Sequence, residues 1–134
     1  MKLSPNVALV VLRLALGLIF TVHGFDKFAG GIGNTAGFFE SIGISGGLAY
    51  VVATIELVGG VLMIIGLGTR IVAALFIIVM LGAIFTVKSG TGFIGGYELD
   101  LALLGMSLAL LISGGGTIAV DDKLFSKQAK GVQG

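Results

Sequence analysis

The sequence predicts an all-α protein, an integral membrane bundle of four helices, and three observations carry that expectation. Of 134 residues, 56% are apolar and only 11% charged. The mean hydropathy is +1.13. The apolar residues gather in four runs separated by glycine-rich or polar segments. A soluble domain would carry charge on roughly a quarter of its residues, whereas a spanning helix needs about 20 mainly apolar ones. This length therefore suits four spans and leaves no room for a second domain.

The spans are expected at about residues 7–24, 48–66, 71–88 and 97–113, within a transmembrane domain of residues 1–122. Pro5 sits before the first run, and no Ala-x-Ala-like exit follows that run, so it reads as a retained span and not a cleaved signal peptide. The long connection from Phe25 to Gly47 contains Phe38, Phe39, Ile42 and Ile44 beside Glu40 and Ser41. That pattern predicts a short interfacial helix in the first outer loop. Gly66, Leu67, Gly68, Thr69 and Arg70 predict a tight turn, making the second and third spans antiparallel neighbours. After Gly114, Gly115 and Gly116 the chain turns polar, and residues 123–134 form a solvated tail. Lys2, Arg70, Lys123, Lys127 and Lys130 fall on the side of the termini, against Lys27 and Lys88 on the other. The positive-inside rule then places both termini in the cytoplasm, in a multi-pass protein of the cell membrane.

Composition excludes several classes. Without cysteine the chain has no disulfide, thiolate ligand or dithiol chemistry of its own. A net charge of +1, scattered singly, offers no field for nucleic acid. One histidine gives no zinc or haem set. The glycine runs lack the strand-then-helix context of a nucleotide site.

Ionisable residues within a span cost about 2.5 to 3.5 kcal/mol each on insertion scales, so each demands a partner or a role. Arg13 and Glu56 lie inside the first and second spans at depths that predict an ion pair between them. Arg13, Gly17, Phe20, Gly24 and Lys27 form one helical stripe; Glu56, Gly60, Met63 and Leu67 form another; Glu98, Ala102, Gly105 and Ala109 form a third. All three are expected to face the bundle interior, with small residues letting backbones approach. His23, Asp26, Lys27, Lys88, Glu98 and Asp100 gather at the predicted outer end. His23 and Lys27 stand one turn apart and can address one ligand. Glu98 and Asp100 lie about 200° apart on a helix, and the small-residue stripe selects Glu98 as the inward one. The structural alternatives are an Arg13–Glu56 pair that only fixes helix register and lysines that only snorkel to the interface.

Arg13-Leu-x-Leu-Gly17, Phe20-x-x-His23-Gly24-x-x-Lys27, Glu56-x-x-Gly59-Gly60, Gly66-Leu-Gly-Thr69-Arg70, Met80, Gly95-Gly-Tyr97-Glu98-Leu99 and the closing Gly114-Gly-Gly with Asp121 occur in order. Together, over about residues 10–122, they resemble the DoxX family of small four-span bacterial membrane proteins. The match departs in two connections, at Gly43-Ile44-Ser45 and Gly114-Gly115-Gly116. The resemblance implies a cytoplasmic-membrane protein of a family usually described as oxidoreductases and linked to quinones, thiosulfate oxidation or thiol and catechol-quinone stress. A chain without cysteine or metal ligands needs a bound cofactor or a redox-active substrate for such work. The expected function is thus binding or conversion of a quinone or similar lipophilic molecule, with a partner protein supplying electrons. Glu56, His23 and Glu98 are the candidate proton-handling residues, and Arg13, Phe20, Lys27, Met63 and Lys88 the candidate ligand contacts. Two other classes fit the same residues: a proton-coupled small-molecule transporter or exporter, and a non-catalytic anchor for soluble redox or detoxification enzymes. Glycine-rich faces also permit a homo-oligomer.

Overall fold

The computed structural model describes residues 4–87 and 90–116. Those residues are helical with no strand among them: α1 (Pro5–Ala29), α2 (Ile32–Ser41), α3 (Gly47–Ile65), α4 (Thr69–Phe85) and α5 (Glu98–Ser113). Lys2, Lys88, Asp121 and the tail of residues 123–134 lie outside the described residues.

Local chemistry sets most helix ends. Ser4 caps α1 by accepting the Asn6 N–H at 3.1 Å, and Pro5 follows at a position where its missing N–H costs nothing. Helix α3 ends at Gly66, whose left-handed conformation (φ 77°) lets the N–H groups of Gly66 and Leu67 both donate to the Leu62 carbonyl. Gly68, also left-handed, starts α4 and completes the tight reversal. Before α5 the chain makes a wide turn over Phe93–Tyr97, where Ile94, Gly95 and Gly96 leave helical backbone. Helix α5 proper has 16 residues, and the apolar stretch reaches 21 only when that turn is included.

Helices α1 and α3 pack antiparallel and very closely. A Cβ on Gly17 would meet Ile64, one on Gly24 would collide with Leu57, and one on Gly60 would collide with Thr21. The residue numbers in each of these pairs total 81, so position i of α1 stands opposite position 81 minus i of α3. The core behind this interface contains Leu16, Phe20, Met63, Phe76, Met80, Leu103 and Leu110. Phe20 and Phe76 stack with ring centroids 3.8 Å apart and planes 13° apart, worth about 0.5–1.5 kcal/mol beyond the area buried.

The outer faces are as apolar as the core. Val11, Leu18 and Phe25 on α1, Ile71, Ile78 and Phe85 on α4, and Ile112 on α5 are all exposed. A continuous exterior of this kind fits lipid and not water. Helices α1 and α3 and the turn-plus-α5 segment are long and apolar enough to cross a membrane, and α4 is a shorter apolar helix. Helix α2, ten residues long, packs against α3 and keeps Ile32 and Phe39 half-buried while Phe38 and Glu40 are exposed.

Candidate functional site: a buried lysine–glutamate pair

The expected stripe on α1 faces inward, with Arg13, Gly17, Phe20 and Gly24 buried and Lys27 partly so. Helix α1 continues past His23 to Ala29, which carries Lys27 beyond the tightly packed glycines. There its Nζ lies 2.7 Å from Glu56 Oε1. The carboxylate is almost wholly enclosed, its side chain 5% exposed, while the lysine side chain is 26% exposed. The pair is therefore a buried charge reached through its partner. Its glycine neighbours explain the geometry, because Gly24 and Gly60 bring the backbones close enough for Lys27 to reach across.

Glu56 takes Lys27 as its partner instead of the expected Arg13. Counting along the α1–α3 register, Glu56 stands opposite position 25, twelve residues from Arg13, an axial separation of about 18 Å. Arg13 stands opposite position 68, past the end of α3. It lies at the end of the bundle where α1 begins, 2% exposed, and its Nη1 donates to the Gly115 carbonyl at 3.0 Å. Gly115 is wedged there: a Cβ would come within 2.9 Å of Thr69 Oγ1 and 3.3 Å of Arg13 Cδ. Gly116 abuts Asn6 and Leu9. The glycine segment after α5 thus packs across the end of the bundle where α1 begins, and Arg13 holds it.

The third stripe turns the other way. Glu98 is exposed and its Oε1 accepts the Gly95 N–H at 3.1 Å, folding the side chain back over the wide turn. Ala102 and Gly105 are also exposed, and nothing lies within 4 Å of where a Gly105 Cβ would stand. The buried residues of α5 are Leu103, Ser107 and Leu110, and Asp100, half-buried, shares their face. Of the two carboxylates, Asp100 and not the expected Glu98 faces inward, because α5 packs on its Leu103-Ser107-Leu110 stripe and not on its small residues. His23 is exposed, and its Nδ1–H donates to the Ile19 carbonyl at 2.8 Å. Phe20 and Met63 are buried in the core, Phe20 engaged with Phe76. Lys88 lies outside the described residues. Among the described residues no group of three His, Asp or Glu could hold a metal ion.

An all-helical chain with a lipid-compatible exterior and a charge pair held between glycine-packed helices defines a small helical membrane protein. This chain belongs to the DoxX family, whose profile matches residues 8–89. It is 44% identical over 131 residues to "Putative oxidoreductase CatD" of Bacillus subtilis (strain 168), covering 98% of this chain and 97% of that one. It is 34% identical to "Uncharacterized membrane protein Rv3486" of Mycobacterium tuberculosis, covering 91% and 83% of the two chains. An uncharacterized protein of Haemophilus influenzae is 32% identical, with 89% and 92% covered. No solved structure matches the chain.

Proposed function

We propose that this protein is the quinone-handling membrane component of a redox system. It binds or converts a quinone or similar lipophilic carbonyl compound at the Lys27–Glu56 pair, while a partner protein carrying a redox cofactor supplies electrons. The observation that carries this reading is the pair itself: a 2.7 Å ion pair with an enclosed carboxylate and a partly open ammonium, set in an apolar bundle. The chemistry of the donor set fits the ligand. Lys27 presents N–H donors to a carbonyl oxygen, and Glu56 takes or gives the proton that accompanies a change of redox state. The Phe20–Phe76 stack and Met63 supply apolar surface deeper in the bundle, and Lys88 remains a proposed further contact from the sequence. The Bacillus subtilis relative carries an oxidoreductase name, which supports the same direction.

The proposed setting is the cytoplasmic membrane with both termini inside. Helix α2 then lies in the outer interface, where its exposed Phe38 and its half-buried Phe39 suit the headgroup boundary.

Titration of a short-chain benzoquinone into purified protein in lipid nanodiscs tests the reading. Lys27→Met and Glu56→Gln, checked for helicity and thermal stability, should each weaken binding about tenfold or more, since a hydrogen bond to a charged group contributes about 1.5–3 kcal/mol. Wild-type affinity in both folded variants would remove the site.

A further inference from the structure

We infer that the Lys27–Glu56 site is open to one side of the membrane only. It exchanges protons with the water at the end of the bundle where α2 lies, and the Phe20–Phe76 stack bars it from the opposite end. The inference deepens the reading of the pair given above and rests on it for the use to which the protons are put.

The three inward residues of α1 that matter here are evenly spaced. Arg13, Phe20 and Lys27 follow at intervals of seven residues, two turns less 20°, so they share one face and stand about 10 Å apart along the axis. Each is tied across the bundle. Arg13 and Thr69 both adjoin Gly115, Phe20 stacks on Phe76, and Lys27 meets Glu56. Helix α4 repeats the interval, since Phe76 also lies seven residues beyond Thr69. The stack is therefore a middle layer between the Arg13 end and the charge pair.

That layer leaves no room for water. The Phe76 ring is held between the Phe20 ring, 3.8 Å away by centroids, and the backbone of α3, where a Cβ on Gly59 would stand 2.8 Å from Phe76 Cε1. Leu16, Met63 and Leu110, all fully buried, fill the space around it. Among the described residues the helices turn inward only two hydroxyls between the Arg13 layer and the Lys27 layer. Thr21 donates to the Gly17 carbonyl at 2.6 Å and Ser107 to the Leu103 carbonyl at 2.8 Å, so both protons are committed to their own helices. A buried water needs two to four polar partners, and a bare charge in apolar surroundings is costly. The middle layer offers neither a water chain nor a relay of side chains.

The other end of the site is different. Lys27 is 26% exposed, and the charged groups near it lie at the same end: His23 and Asp26 on α1 and Glu40 on α2 are all exposed. Lys27 is the group that faces Glu56 from α1, and the charged residue of α4, Arg70, is at the far end. A quinone reduced to the quinol at this pair takes two electrons from the partner's redox cofactor and two protons. Both protons are drawn from the water at the α2 end, and the reverse reaction releases them there.

The chain has no cysteine, so single cysteines report water access cleanly. They are treated with a charged, membrane-impermeant methanethiosulfonate in spheroplasts and in inverted membrane vesicles, which present opposite faces; Ser41→Cys marks the α2 face and Ser4→Cys the other. Lys27→Cys is made together with Glu56→Leu, so that no charge is stranded. It should react at least about tenfold faster from the α2 face than from the other. Met63→Cys, a conservative change in the barrier, should be protected from both faces. Full-length wild type in liposomes supplies a third measurement with the native charges in place. With a short-chain benzoquinone present, an imposed pH gradient should last within about twofold as long as in protein-free liposomes containing the same quinone. Labelling of Lys27→Cys at similar rates from both faces, labelling of Met63→Cys from either, or a gradient that collapses faster with protein would each overturn the inference. None of these readouts needs a bound quinone. A failed benzoquinone titration removes the functional reading alone, and two-sided labelling in protein whose wild type binds benzoquinone removes the inference alone.

Discussion

Single atoms decide how this interior tolerates change. Gly24 and Gly60 leave no space for a Cβ, whereas Gly82 and Gly105 meet nothing within 4 Å. Gly24→Val should separate α1 from α3, lower stability by about 1–3 kcal/mol as overpacking does, and weaken the Lys27–Glu56 contact. Gly105→Ala should leave thermal unfolding in detergent unchanged or raise its midpoint slightly, by the helix propensity gained. The pair itself invites a double-mutant cycle. Breaking it with Lys27→Met alone strands an enclosed carboxylate and should cost about 3–5 kcal/mol, while Lys27→Met with Glu56→Leu should recover much of that loss. Equal destabilisation by the single and double variants would show that the two charges do not compensate each other. The stripe that carries Lys27 was legible in the sequence, since Arg13, Gly17, Phe20 and Gly24 repeat at helical spacing. Its partner was not. Pairing depends on how far two helices slide past each other, and apolar runs locate helix ends too loosely to separate Arg13 from Lys27.

At the scale of elements, the irregular pieces set what the helices can do. The wide turn at Phe93–Tyr97, with Gly95 at φ 72°, fixes the rotational phase at which α5 begins. That phase sends Glu98 outward and Asp100 inward, and periodicity within α5 cannot reveal it because both faces are apolar or small. Glu98→Ala should remove the contact to the Gly95 N–H and cost about 1 kcal/mol, visible as faster amide exchange in the first turn of α5. The opposite end of α5 depends on Gly115. Gly115→Val would press on Thr69 and Arg13, and amide exchange over Leu110–Ser113 should accelerate while the first turn keeps its protection. Uniform loss of protection in that variant would mean that the two ends of α5 are not separate units.

For the molecule as a whole, the all-helical membrane character was written in composition, and its sidedness rests on where few charges fall. The absence of cysteine makes that testable without background. In intact cells a membrane-impermeant maleimide should label Ser41→Cys directly, and Ser4→Cys only after permeabilisation; the reverse pattern would invert the topology. The Arg13–Gly115 fastening has a further consequence, for synthesis. Arg13 and Gly115 are 102 residues apart in the chain, and ribosomes add about 5–20 residues per second. Helix α1 therefore resides in the translocation machinery or bilayer for about 5–20 s before its arginine can meet that carbonyl. Lys27 finds Glu56 much sooner. The nascent chain passes through an interval in which Lys27 can meet Glu56 but Arg13 cannot yet meet Gly115, and a chain stopped short of Gly115 never makes that contact, a difference by which membrane quality control can tell it from the finished protein.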